Sequence, residues 1–182
     1  MIDLTEEQID CTLLHVEEGL KKYLAIQQDL KTKDVAKDRD FQKRFNHFYK
    51  VRRNAEWQAQ YYQLLQKHKN GSVTFAGILQ EIHKNTGRYE ASFSSKLVAT
   101  IHPEQPVIDK CVLKNVGLKL PYPKAKNRDS KLAKVHESLL SEITEFLQHD
   151  NGKYLVQKFK KKFPSASVTE VKMVDLVLWQ TR

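Results

Sequence analysis

Apolar side chains recur every three or four residues through most of this chain, and no stretch alternates apolar and polar residues for long enough to line a sheet. Between residues 5 and 30, Ile9, Leu13, Val16, Leu20 and Leu24 fall on one stripe, with charged residues on the remaining face. A stripe of that width is the signature of an amphipathic helix with one face buried. Residues 31–40 are polar and mixed in charge, the pattern of a connector or a solvated helix end. A second helical stretch over 41–69 uses Phe41, Phe45, Phe48, Val51, Trp57, Tyr61, Leu64 and Leu65, with one irregularity around Arg53 and Asn54.

Turn chemistry divides the rest. Lys69-Asn70-Gly71-Ser72 reads as a turn, and Thr74 is placed to cap a helix through Phe75, Ile78, Leu79 and Ile82 that Gly87 ends in left-handed conformation. A short helix over 96–101 stops before Pro103. Another spans 109–116, with Gly117 as its terminator and Pro121 and Pro123 as a rigid exit. Leu132, Val135, Leu139, Leu140, Ile143 and Leu147 predict a long helix over 130–148, broken at Asn151-Gly152. Two final helices, 153–163 and 169–179, are separated by Pro164-Ser165. The expectation is an all-α fold, one compact domain over residues 1–182 with roughly eight helices joined by short turns.

Thirty-one Lys and Arg against 22 Asp and Glu leave a formal charge of +9, which favours an acidic partner, most often nucleic acid. No apolar run approaches the length of a membrane span, and the first ten residues are acidic where a signal peptide is basic and then apolar. A cytoplasmic protein with no membrane partner is expected. Cys11 and Cys111 cannot supply a four-thiolate cluster and form no close zinc-type pair; both read as small buried apolar residues. Histidines 15, 47, 68, 83, 102, 136 and 149 have no HxxxH or HExxH spacing, so no metal is expected. His102 stands out only because it lies between Lys96 and Asp109, where loop packing is its expected role. Neither a GxxxxGK[ST] nor a GxGxxG run is present, and no nucleotide cofactor is expected.

Residues 92–118 hold the densest chemistry. Lys96, between Phe93 and Leu97 in an otherwise uncharged segment, opens one short helix, and Asp109 opens the next. An amine and a carboxylate so placed can meet over one ligand. A lysine attacks a sugar carbon only when neutral, and apolar surroundings lower its pKa. The same two residues also fit plainer roles: Lys96 as a solvated or phosphate-contacting side chain, Asp109 as a helix cap.

With Ala91-Ser92-Phe93-Ser94-Ser95-Lys96 at a hairpin and Pro106-Val107-Ile108-Asp109 at the following turn, the run resembles the helix-hairpin-helix DNA glycosylase superfamily. It is similar to a divergent branch of bacterial proteins with an 8-oxoguanine DNA glycosylase fold. In that superfamily a hairpin ending in Gly-Pro-Lys or Gly-Arg-Lys opens an apolar helix and a Pro-Val-Asp turn opens the next. The resemblance implies two helical lobes, 1–70 with 130–182 and 71–129, around a cleft. It further implies excision of a damaged or modified base from DNA, with Lys96 as Schiff-base nucleophile and Asp109 as the charge-stabilising carboxylate. Ser92 and Ser94 stand where the motif has glycines, Ser95 replaces the Pro or Arg, and the spacing from Lys96 to Asp109 is shorter than in most of the family; these three serines are the expected phosphate contacts. Arg52, Arg53 and Asn54, in a run that mixes aromatics with cations, and Lys160, Lys161 and Lys162 complete the expected nucleic-acid surface. The alternatives are a non-catalytic nucleic-acid-binding module of the same fold and a helical protein-interaction adaptor.

Overall fold

The computed structural model describes residues 2–181, which are all-α, with ten helices and no strand among the described residues. In chain order they are α1 (Glu6–Leu13), α2 (Glu17–Thr32), α3 (Arg39–Tyr49), α4 (Ala55–His68), α5 (Phe75–Thr86), α6 (Ala91–Ile101), α7 (Lys110–Val116), α8 (Arg128–Gln148), α9 (Asp150–Lys162) and α10 (Glu170–Gln180). No helix among the described residues is long and apolar enough to cross a membrane.

α10 is the hub: it packs on α1, α7, α8 and α9, and every residue from 172 to 178 is buried. A helix enclosed on all sides needs apolar residues all round, which Met173, Val174, Leu176, Val177 and Leu178 provide. Lys172 and Asp175 are the exceptions, and they pair with each other. α5 packs on α4, α6 and α8, while α2 packs on α3. Between α3 and α4 the core is aromatic, with Phe41, Phe45, Tyr49, Tyr61 and Tyr62 in mutual contact.

Three expected elements are divided or moved. The stretch 5–30 is two helices, because the chain tightens at 14–16 through the bonds Leu14 N to Cys11 O and His15 N to Thr12 O. The apolar stripe keeps its period across that turn, so spacing alone does not reveal the break. The stretch 41–69 is also two helices: Lys50 takes left-handed φ 55°, and Asn54 restarts the chain by capping α4. The break after α8 falls at His149, before the expected Asn151-Gly152, and Gly152 lies within the first turns of α9. A Cβ on Gly152 would sit 2.0 Å from the Phe146 carbonyl oxygen, so glycine is there to let α9 fold tightly against the end of α8.

Candidate active site around Lys96

α6 begins at Ala91, five residues before its expected start, because the apolar and small residues from 91 onward all suit a buried helix. Lys96 therefore sits in the middle of α6 and not on its first turn. Its side chain is 8% exposed. The ammonium donates to the Tyr49 carbonyl at 2.9 Å and lies 5.2 Å from the Phe93 ring centroid. Tyr49 is the last residue of α3, where helix carbonyls have lost their intrahelical partners. Lys96 answers one of them from across the core.

The serines expected at phosphates have other work. Ser94 and Ser95 are fully buried in α6: Ser94 donates to the Glu90 carbonyl at 3.0 Å, and Ser95 donates to the Ser92 carbonyl at 3.0 Å. The turn that joins α5 to α6 lies at 87–90, so these serines belong to the helix after it, and neither hydroxyl reaches solvent. Ser95 also accepts the Ile108 amide at 2.8 Å. That bond joins the residue before Lys96 to the residue before Asp109, and so sets the two candidate side chains in register. Ser92 remains half-buried beside Ile108 and Asp109 on an open groove.

Asp109 caps α7 from an extended backbone, its Oδ1 accepting the Cys111 amide at 2.8 Å. Lys96 and Asp109 line one cavity of about 30 Å³, together with Phe48, Tyr49, Asp175 and Trp179. A water molecule needs about 10–15 Å³ of such space, so the cavity holds a water or two and no larger ligand. It shares Phe48, Lys50 and Trp179 with an open groove of about 460 Å³ that reaches solvent. Burial lowers the Lys96 pKa; Asp109 and then Asp175 oppose that, but burial prevails. The result is a lysine more readily neutral than one in water, facing two carboxylates.

Asp175 is the site residue that reading the sequence misses. It is 7% exposed, its Oδ2 is 2.7 Å from the Lys172 ammonium, and its Oδ1 is buried with no hydrogen-bond partner among the described residues. Lys172 is 1% exposed and lies 5.1 Å from the Tyr23 ring centroid. Burial works against its charge, but Asp175, Tyr49 and Tyr23 together hold its pKa above the ordinary lysine value. The available signal was a lone acid within the otherwise apolar run Met173 to Trp179. A buried charge is retained only where something pairs with it.

The other expected contacts are dispersed. Arg53 bonds to Glu90 at 2.6 Å and stands over the Phe93 and Trp57 rings, so its charge is already answered. Asn54 accepts the Trp57 amide at 3.0 Å as the α4 cap, and Arg52 is exposed. Lys160 pairs with Glu170 at 2.9 Å, while Lys161 and Lys162 are exposed at the end of α9. His102 closes α6 and accepts the Val73 amide at 3.2 Å, a loop-packing role. Contrary to expectation, Cys11 is exposed and Cys111 is only half-buried. Among the described residues no group of three or more His, Cys, Asp or Glu side chains is placed to hold a metal ion.

Compared with the models of known protein families, with curated proteins and with solved structures, the chain matches none.

Proposed function

We propose that this chain is a DNA-binding glycosylase-like protein with the two-lobed architecture of the helix-hairpin-helix superfamily, excising a damaged or modified base through Lys96. One observation supports the reading above the others: a buried lysine amine of lowered pKa shares a cavity with the carboxylate that caps the next helix. In the neutral amine, one N–H stays on the Tyr49 carbonyl and the lone pair is free to attack. The nitrogen bonds to sugar C1′, the base departs with the electrons of the glycosidic bond, and the new ammonium gives its proton to the departing base anion. The C1′–O4′ bond then opens to an iminium, O4′ taking a proton from water. Asp109 faces the positive charge that develops on the sugar. A nucleotide reaches the amine by way of the open groove, which requires Lys50 or Trp179 to swing aside.

A second reading is favoured by the closed cavity and the bond to Tyr49. In it, Lys96 is a structural tie between α6 and the end of α3, and the protein is a binding module without chemistry.

Borohydride trapping separates the two. Incubated with a duplex carrying 8-oxoguanine or an abasic site and then reduced, the protein is expected to form a covalent adduct. Lys96→Gln, which keeps a donor for Tyr49, is expected to form none while binding DNA almost as well. Absence of an adduct with every lesion, with DNA binding retained, favours the binding-module reading. Equal trapping by Lys96→Gln removes Lys96 from the reaction.

A further inference from the structure

The chain's positive charge is concentrated in a place that neither the motif nor the Lys160–Lys162 strip accounts for. Residues 110–128 contain Lys110, Lys114, Lys119, Lys124, Lys126 and Arg128 and no Asp or Glu, a formal +6 within a whole-chain +9. All five lysines are exposed. Those on α9 are partly answered, by Asp10 at Lys158 and Glu170 at Lys160.

In the middle of this stretch Tyr122 is 87% exposed. It stands between Pro121 and Pro123, which fix their own backbone and restrict that of their predecessors. Its carbonyl accepts from Arg128 Nε at 3.2 Å and from the Ala125 amide at 3.0 Å. Arg128 is held in turn by the Tyr89 carbonyl at 3.2 Å. The one basic residue directed inward anchors the loop, and the loop presents a single aromatic ring outward. The same segment walls an open, mainly apolar groove of about 620 Å³, lined by Leu113, Leu118 and Leu120 and by Lys110, Lys114 and Lys119, and reaching Asp109. The groove thus begins at the candidate active site.

We propose that the surface formed by α7 and the 117–126 segment binds the DNA strand adjoining the reacting nucleotide, its lysines pairing with successive phosphates and Tyr122 stacking on an unpaired base. This assignment of the partner rests on the glycosylase-like reading for the position of the reacting nucleotide. Cations interleaved with a rigid, exposed ring answer both parts of a nucleic acid, whose phosphates are charged and whose bases offer flat faces. An anionic membrane would instead favour a continuous apolar face for insertion. Here the large exposed hydrophobics of the segment are only Leu120 and Tyr122.

The test measures fluorescence anisotropy of two labelled duplexes, one intact and one with a central abasic site, across a salt series. Its proteins are the full chain, Lys119→Gln/Lys124→Gln/Lys126→Gln, Tyr122→Ala, and the charge-matched control Lys160→Gln/Lys161→Gln/Lys162→Gln. The first triple variant is expected to flatten the log–log salt slope by about two to three units, at about 0.9 per phosphate contact, and the control by about one or less. Tyr122→Ala is expected to weaken abasic-duplex binding about ten-fold and intact-duplex binding about two-fold or less. Circular dichroism checks that each variant is folded, as exposed positions predict. Equal slopes for the two triples, no DNA binding, or an equal effect of Tyr122→Ala on the two duplexes would each overturn the proposal. Covalent trapping is scored separately. Loss of trapping with the salt effects intact defeats the glycosylase reading alone, whereas trapping with no dependence on these lysines defeats this surface alone.

Discussion

Lys96 is under two opposed influences, and their balance is open to experiment. Burial favours the neutral amine, and the carboxylates of Asp109 and Asp175 favour the ammonium. Asp109→Asn keeps an N-cap of equal rank, so melting is expected to stay near native. It also removes an anion that raises the Lys96 pKa. The acid limb of a trapping-rate against pH profile is therefore expected to move to lower pH, while the maximum rate falls by a factor on the order of a hundred through loss of charge stabilisation over the sugar. A variant with full rate and an unmoved limb would leave Asp109 with its cap alone. That Lys96 and Asp109 line one cavity was legible in the sequence because the two residues lie close together there on successive short helices. The serines misled because a small hydroxyl suits a phosphate and a buried helix turn equally well, and only the extent of α6 decides between them. Asp175 stayed hidden because its ion-pair partner Lys172 is a turn away on the same helix, whereas the cavity that it shares with Lys96 and Asp109 is assembled from distant segments.

At the scale of elements, the helix faces followed their periodicity, whereas the ends did so only where backbone chemistry marked them. Thr74 caps α5, Gly87 and Gly117 end α5 and α7 at φ 70° and 77°, and Asp109 caps α7, each at the position its residue type indicates. The break at 14–16 carries no such mark, and Lys50 takes its left-handed φ without being glycine or asparagine. Gly152 has the residue type of a helix breaker, but its function is close approach. Two glycine substitutions test that distinction with opposite signs. Gly152→Ala puts a Cβ 2.0 Å from backbone that cannot turn away, and is expected to cost about 2 kcal/mol, in the range of overpacked sites. Gly19→Ala, in α2 with its nearest neighbour 4.0 Å away at the end of the Gln180 side chain, is expected to stabilise by up to about 1 kcal/mol through helix propensity. At about 2–4 °C per kcal/mol for a chain of this size, the two melting shifts are well separated. A neutral Gly152→Ala would mean that the α8–α9 junction yields.

For the whole molecule, stability toward acid depends on a residue at the meeting point of several segments. His136 of α8 is buried against the Phe75 ring of α5, with centroids 4.3 Å apart and planes 5° from parallel, and it bonds to the Pro106 carbonyl of the segment that leads to Asp109. Its Nε2 is buried without a hydrogen-bond partner among the described residues. Burial pushes its pKa down to about 4 from an ordinary 6.5, with the Pro106 bond opposing. Between those values the unfolded chain binds a proton that the folded one refuses, so stability is complete above pH 6.5 and is lost as pH falls toward 4. One proton corresponds to about 1.4 kcal/mol per pH unit, and the window amounts to about 3 kcal/mol. Lys172 has the reverse sign: its raised pKa contributes stability below the ordinary lysine value and loses it only in strong alkali, outside this window. His136→Phe keeps the stacked ring and removes the titrating group. It is expected to be less stable than the parent at pH 7, where the Pro106 carbonyl loses its donor, yet its unfolding free energy in urea should fall more gently between pH 6.5 and 4, by close to one proton. Carboxylates that titrate in the same range contribute equally to both proteins and cancel in the comparison. Parallel pH dependences would mean that His136 takes up its proton in the folded state without penalty, and that acid unfolding starts elsewhere.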